Sequence, residues 1–372
     1  MRIAIFVKNT IHHESYGGLE TQNQNLVEGL KKAGHLVTVF APALNKSVAD
    51  HVFVSGTTPG KYNGAWWFRS FVEFNQQHEK APFDVVISQS AAGAGIIFRK
   101  TILRVKTLVI AHGTIWGEIR TSWRKAKTWQ DYLFFLKNLA YAVRTYFVLD
   151  RKYLKNCDHI VAVSDAVKAA LQSEFGLIPE KISVINNGVD LTHYKVAPVL
   201  SEKVIFLYLG RLEAEKGLAL LMEAFLKLRQ TAPTALLKIV GSGSYAVSSG
   251  VGVEVVPAVG YAKIPELLAT ASVFVLPTLR VEGLPMTLVE AAAAGLPIIA
   301  SNIGGNAAAV RDGLNGLLIK PGSVLELLIA MEKLARDAGM RQQFGAASRK
   351  LAGDNFSLGT MVNKYLKVIN HL

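Results

Sequence analysis

A chain of 372 residues, half of them hydrophobic, is longer than one ordinary core serves and divides most naturally into two domains of roughly 150–200 residues. Its 41 Lys and Arg against 28 Asp and Glu leave a net charge of +13, which favours phosphates, anionic lipid or nucleic acid as partners without choosing among them. The single Cys157 cannot close an internal disulfide, the apolar start of MRIAIFVKNT is too short for a signal sequence, and Arg144 interrupts the best apolar stretch around Leu139–Leu149, so a cytoplasmic protein, soluble or peripheral to a membrane, is expected.

Strand-like apolar runs alternate with helical stretches from the first residues. Ile3–Val7 leads into a loop ending Tyr16-Gly17-Gly18-Leu19-Glu20 and then the helical stretch Thr21–Ala33. Paired glycines let backbone approach a ligand and offer amides at a helix start, where phosphate is favoured; a plain glycine turn would look the same. The pair is not GxGxxG, which weakens a dinucleotide reading. Val37–Ala41, Val85–Ser88, Thr107–Ala111, His159–Val163 and Ile182–Ile185 continue the alternation, and such a pattern predicts a parallel, doubly wound sheet. His112-Gly113 follows one of these runs: a His at a strand end can exchange hydrogen bonds at neutral pH beside a glycine that leaves room, although a structural His fits too.

All five tryptophans, Trp66, Trp67, Trp116, Trp123 and Trp129, fall in the first half. An insert over about 115–155 carries Arg120, Arg124, Lys125, Lys127, Lys137, Arg144, Arg151, Lys152 and Lys155 against Glu118, Asp131 and Asp150. That mixture suits an anionic bilayer surface. The competing account is an ordinary amphipathic cover over the sheet, with Tyr132, Phe134, Phe135 and Leu136 as core. No nucleic-acid module is recognisable, so no nucleic acid is expected as a partner.

After a polar stretch from Leu191 to Lys203 the pattern restarts with Val204–Leu209, Leu236–Val240, Val253–Pro257, Val273–Leu276, Ile298–Ser301 and Leu317–Ile319. Gly210 to Gly217, GRLEAEKG, places Arg211 and Lys216 at the mouth of this second sheet, as a fork and a point charge for a diphosphate or as two solvated surface cations. Gly241-Ser242-Gly243-Ser244 lacks the lysine of a phosphate loop and is expected to be a turn. In RVEGLPMTLVEAAAAGLP, Glu282 should lie on a loop beyond Val273–Leu276 and Glu290 on the helix Met286–Ala294. That helix is apolar almost all round and therefore buried, so Glu290 needs a ligand or a partner. Gly304-Gly305-Asn306 offers a further close backbone approach. Helices over Val324–Ala338, Met340–Leu351 and Met361–Leu372 close the chain, with a break at Gly353-Asp354-Asn355.

Taken in order, YGGLE, His112-Gly113, the VSD of Val163–Asp165, NNGVD at Asn186–Asp190, LGRLEAEKG at Leu209–Gly217 and the Glu282/Glu290 segment resemble the retaining GT-B glycosyltransferases of the GT4-type family, nearly end to end. The resemblance implies two Rossmann-like doubly wound domains facing across a cleft. They would span 1–195, which includes the insert, and 196–352, with the helical tail 353–372 packing back on the first. It implies a nucleotide-sugar donor, a glycan or glycolipid acceptor, transfer with retention to an α-glycoside, and no metal or other cofactor. Carried over by position, Arg211 and Lys216 would grip the diphosphate, Glu290 the ribose hydroxyls and Glu282 the sugar hydroxyls, beside Gly283 and Leu284. Amides of Gly17, Gly18, Thr287 and Leu288 would complete the phosphate cradle, His112 would contact the sugar, and the base would lie near Tyr261, Lys263 and Ile264. Ala307-Ala308-Ala309 stands where the family often has a Glu, which loosens the choice of donor. An epimerase of the same architecture would convert the donor without an acceptor. A membrane or nucleic-acid binding module with a degenerate site would show no nucleotide-sugar affinity. A dehydrogenase is disfavoured because neither GxGxxG nor its spaced acidic partner follows a strand.

Overall fold

A computed structural model of the chain describes residues 1–13, 17–60, 63–126, 128–195 and 203–372. Tyr16 of the glycine loop, Lys127 of the basic insert and the segment 196–202 at the expected domain boundary lie outside them. Two compact units form: Met1–Ile115 with Leu139–Gly188 and Leu358–Leu372, and Trp116–Asn138 with Val189–Ser357. The stretch expected as one insert is thus divided between them at Asn138.

The first unit holds a seven-stranded sheet of β1 (Arg2–Phe6), β2 (Leu36–Pro42), β3 (His51–Val54), β4 (Val85–Gln89), β5 (Lys106–Ala111), β6 (His159–Ala162) and β7 (Ile182–Val184), in the order β3-β2-β1-β4-β5-β6-β7. Every pairing is parallel. Ile3, Ala4, Ile5 and Phe6 are wholly buried, as a strand covered on both faces must be, and that is why continuous apolar runs marked the strands. The strand not expected from sequence is β3, a half-exposed edge of four residues, HVFV, too short to show a period. Trp66, 1% exposed, donates its indole N–H to the Ala92 carbonyl at 2.8 Å, and Trp67 donates to Ala91 at 3.0 Å, so these two tryptophans are structural.

The second unit holds β8 (Ile205–Leu209), β9 (Leu236–Val240), β10 (Val253–Val256), β11 (Val273–Leu276), β12 (Ile298–Ser301) and β13 (Gly316–Ile319), in the order β10-β9-β8-β11-β12-β13. The chain winds outward from β8 through β9 and β10, then returns to lay β11 on the other side of β8. The crevice beyond the carboxyl ends of β8 and β11 is therefore the place where an open parallel sheet binds its ligand. In the first unit the corresponding reversal lies between β1 and β4.

Two expectations about helices need correction. The helix Ala338–Asn355 runs through Gly353-Asp354-Asn355, and the break falls at Phe356-Ser357, where Phe356 is fully buried and its carbonyl accepts the Val189 N–H at 2.9 Å. The following helix, Leu358–Asn370, belongs to the first unit and lies against the helix Gly18–Lys32, so closely that a Cβ at Gly29 would fall 2.3 Å from Cγ2 of Val362. Of the helix Trp129–Thr145 the buried residue is Ala142, whereas Tyr132, Phe134 and Leu136 are 39%, 53% and 54% exposed. The sequence account that made those three side chains core is overturned. No helix among the described residues is long and apolar enough to cross a membrane.

Candidate active site

In the second unit the loops after β8 and β11 are stitched together by backbone. The Leu279 amide donates to the Glu215 carbonyl at 2.8 Å, and the buried Thr278 hydroxyl donates to the same carbonyl at 3.1 Å. Gly217 permits this approach: its φ of +76° is a left-handed conformation, and a Cβ there would lie 2.0 Å from the Pro277 carbonyl oxygen. The result brings Lys216 Nζ to 2.5 Å from Glu282 Oε1, with both side chains 14% exposed. Sequence reasoning placed each residue at a strand mouth but did not pair them.

Gly304-Gly305 serves the same loop. Gly305 donates its amide to the Glu282 carbonyl at 2.8 Å, and Gly304, with φ +57°, sits so close that a Cβ would be 2.2 Å from that carbonyl. This glycine pair admits the Glu282 backbone rather than a ligand. Likewise Gly241-Ser242-Gly243-Ser244 is a turn packed on the Arg211 segment: Leu212 donates to the Ser242 carbonyl at 3.0 Å, and a Cβ at Gly243 would lie 2.2 Å from the Leu212 carbonyl.

Arg211 is the more open of the two cations. Its side chain is 57% exposed and its guanidinium meets Glu213 at 2.6 Å, an ion pair worth little to stability in that setting. Arg280, not singled out from sequence, lies 3.7 Å from Glu215 and 3.5 Å from Glu118, and the Val281 amide donates to the Thr121 hydroxyl at 2.9 Å. The helix Ile115–Lys125 thereby supports the Glu282 loop, a link no local pattern announces.

The helix Met286–Ala293 is buried almost throughout, as its all-round apolarity predicted. Leu288 bonds its amide to the Pro285 carbonyl at 3.1 Å, so of the two amides expected to face phosphate, Thr287 is the one at the open first turn. Leu284 is buried and Gly283 half-buried at the lead-in. Glu290 is 2% exposed, and burial alone pushes its carboxyl up to about 8. Beside it stands Tyr194, 3% exposed, whose phenol is raised first by burial, then by the charge of Glu290, and shares a hydrogen bond with Tyr261. Asp190 caps the short turn Leu191–His193 that delivers Tyr194. Tyr194 escaped the sequence reading; the available signal was an aromatic one turn beyond an Asp cap. The turn Tyr261–Lys263, with Lys263 exposed and Ile264 opening the next helix, is tied through Tyr194 to the surroundings of Glu290.

The Glu290 shift has a measurable sign. Between the ordinary 4.5 and about 8 the folded chain holds a proton that the unfolded chain has released, so stability falls as pH rises through that window. Thermal midpoints measured from pH 5 to 8.5 should show this slope in the native chain and a flatter profile in Glu290→Gln, whose side chain never ionises.

In the first unit, His112 Nε2 lies 2.6 Å from Gln89 Oε1, while Gln89 Nε2 donates to Gln22 at 3.0 Å and Asn23 at 3.1 Å. Those amide contacts make Oε1 the acceptor, which assigns the imidazole proton to Nε2 and leaves Nδ1 as a lone pair. Burial, then the charge of Lys8, depresses His112 to about 4, so the ring is neutral at pH 7. Gly113 faces open space. Gly17 donates its amide to the Glu20 carboxylate at 2.8 Å, which occupies one of the two expected cradle amides and leaves Gly18 in the first turn of Gly18–Lys32.

Comparison with known proteins follows this division of the chain. Residues 16–193 match the profile of Glycosyltransferase Family 4, and residues 193–351 match that of Glycosyl transferases group 1. An uncharacterized glycosyltransferase of Methanocaldococcus jannaschii is 23% identical over all of this chain and 99% of its own length. A UDP-Gal:alpha-D-GlcNAc-diphosphoundecaprenol alpha-1,3-galactosyltransferase of Escherichia coli is 30% identical over 48% of this chain and 51% of its own. The crystal structure of the Anabaena protein HepE in complex with UDP and glucose superposes with a TM-score of 0.75 at 18% identity, covering 100% of both chains. With two parallel-sheet units of Rossmann type and both halves matched in order, the chain belongs to the GT-B glycosyltransferases of the group 1, GT4-type family.

Proposed function

We propose that this glycosyltransferase moves a sugar from a nucleotide-sugar donor to a lipid-linked or cell-envelope glycan and forms an α-glycosidic bond with retention. The observation that carries the reading is the Lys216–Glu282 pair at the sheet's reversal point, with Glu290, Tyr194 and Tyr261 gathered in the same unit. Lys216 and Arg211 meet the donor's diphosphate, with the Thr287 amide, so the charge of the departing group is stabilised by the protein without a metal. Glu290 accepts from the ribose hydroxyls, the 261–264 turn borders the base, and Glu282 orients the sugar. Neutral His112 offers Nδ1 as an acceptor to a sugar hydroxyl.

In the retaining scheme the anomeric carbon–oxygen bond breaks and its electron pair passes to the diphosphate. The acceptor oxygen bonds on the same face and its proton goes to the departing phosphate oxygen. No carboxylate nucleophile enters, unlike the paired carboxylates of retaining glycosidases. The acceptor class is supported by the diphosphoundecaprenol substrate named for the galactosyltransferase relative. An acceptor of that kind, with the exposed aromatic helix Trp129–Thr145 and a charge of +13, suits a peripheral site on an anionic membrane's cytoplasmic face. A panel of UDP-, GDP- and ADP-sugars, read by nucleotide release with an acceptor extract, tests the reading. One donor should turn over undiminished in excess EDTA and yield an α-linked product. Inertness to the whole panel, or inversion at the anomeric carbon, would refute it.

A further inference from the structure

The helix Ile115–Lys125 has two working faces. On one, Glu118 pairs with the Arg280 guanidinium and the Thr121 hydroxyl accepts the Val281 amide, as described. On the opposite side Ile119, Arg120, Trp123 and Arg124 line, together with Phe135, an open hollow of about 270 Å³. Trp123 is 56% exposed, yet its ring is held edge-on by Phe135 at 5.2 Å and Tyr132 at 5.7 Å between centroids. Arg120 and Arg124 stand one helical turn apart at the same hollow.

The combination restricts the occupant. A free inorganic anion would use the arginines and has no use for aromatic walls. A neutral hydrophobe would use the walls and would not call for two guanidinium groups, whose planar forks match phosphate oxygens. Large exposed aromatic surface on a helix also marks an interaction site rather than ordinary surface, and Leu133, Phe134 and Leu136 of the helix that supplies Phe135 are about half exposed.

We propose that this hollow seats one anionic lipid molecule, its phosphate between Arg120 and Arg124 and the first part of its hydrocarbon chain against Trp123 and Phe135. The proposal rests on the membrane-surface reading above and narrows it to a single site of stated chemistry.

The test uses the full chain with vesicles of phosphatidylcholine, with or without phosphatidic acid, their chains brominated to quench nearby tryptophan. Binding and quenching should require phosphatidic acid. Arg120→Gln/Arg124→Gln should weaken partitioning about thirty-fold, the equivalent of about 1 kcal/mol for each basic contact. Arg151→Gln/Lys152→Gln, with the same loss of charge at two other exposed positions, should weaken it far less. Trp123→Phe should remove most of the quenching while still binding, a readout that survives if the arginine variant misfolds. Equal weakening by both double variants, equal binding to pure phosphatidylcholine, or release by inorganic phosphate at matched ionic strength would overturn the proposal. Nucleotide release without vesicles is scored separately: turnover without lipid capture overturns the lipid site alone, and lipid capture without turnover overturns the enzyme reading alone.

Discussion

Lys216→Ala should lower kcat by about two to three orders of magnitude, the usual cost of removing one preorganised donor from developing negative charge. Its ammonium lies 2.5 Å from Glu282 in a part of the loop only 14% exposed, so removal has a second effect. The Glu282 carboxylate is left uncompensated beside the place proposed for a diphosphate, and donor affinity should fall as well. Lys216→Arg keeps the charge but replaces a compact ammonium with a planar fork, and should recover only part of the loss. In a double-mutant cycle with Glu282→Ala the two losses should be clearly non-additive, because each side chain is the other's partner. Steady-state kinetics alongside thermal melts decide the matter: a lowered melting temperature with kcat intact would make the pair structural.

Gly217→Ala should damage both the fold and the activity of the second unit. The new Cβ would sit 2.0 Å from the Pro277 carbonyl oxygen while the backbone holds φ at +76°. Left-handed strain and overpacking together should cost about 2–4 kcal/mol, seen as a lower urea midpoint with unchanged m-value. Activity should fall further than stability explains, since relief of the clash moves the loop that carries Lys216 away from the loop that carries Glu282. Gly113→Ala is the natural control for folding, because nothing lies within 4 Å of its would-be Cβ. If Gly217→Ala kept both its urea midpoint and its turnover, the loop stitching described here would be wrong.

The sheets were legible because parallel strands buried on both faces are written as apolar runs; all six strands of the second unit could be read, although Lys238 and Glu254 interrupt two of them. The edge strand His51–Val54 was not, since its apolar run is only Val52-Phe53-Val54 and its first three residues are partly exposed. The burial of Glu290 was legible from its apolar neighbours. The Lys216–Glu282 pair was not: 66 residues separate the two, and only the order β10-β9-β8-β11 makes their loops adjacent. Composition could not say whether Tyr132, Phe134 and Leu136 lie inside or outside, because the same aromatic helix serves either purpose. The salt link from Arg280 to Glu118 and the bond from Val281 to Thr121 join segments with no shared pattern, so nothing in the sequence could announce them.

The three-part make-up of the first unit bears on how the protein is born. Its sheet is complete in the chain by Gly188, but Leu358 and Val362, which close over Gly29 on the helix Gly18–Lys32, are translated only after the whole second unit. During synthesis on the ribosome that face of the early helix must wait uncovered while an unrelated sheet assembles downstream. Vectorial folding therefore stalls one step short of completion, and a nascent chain arrested before residue 358 should be a better chaperone client than its length suggests.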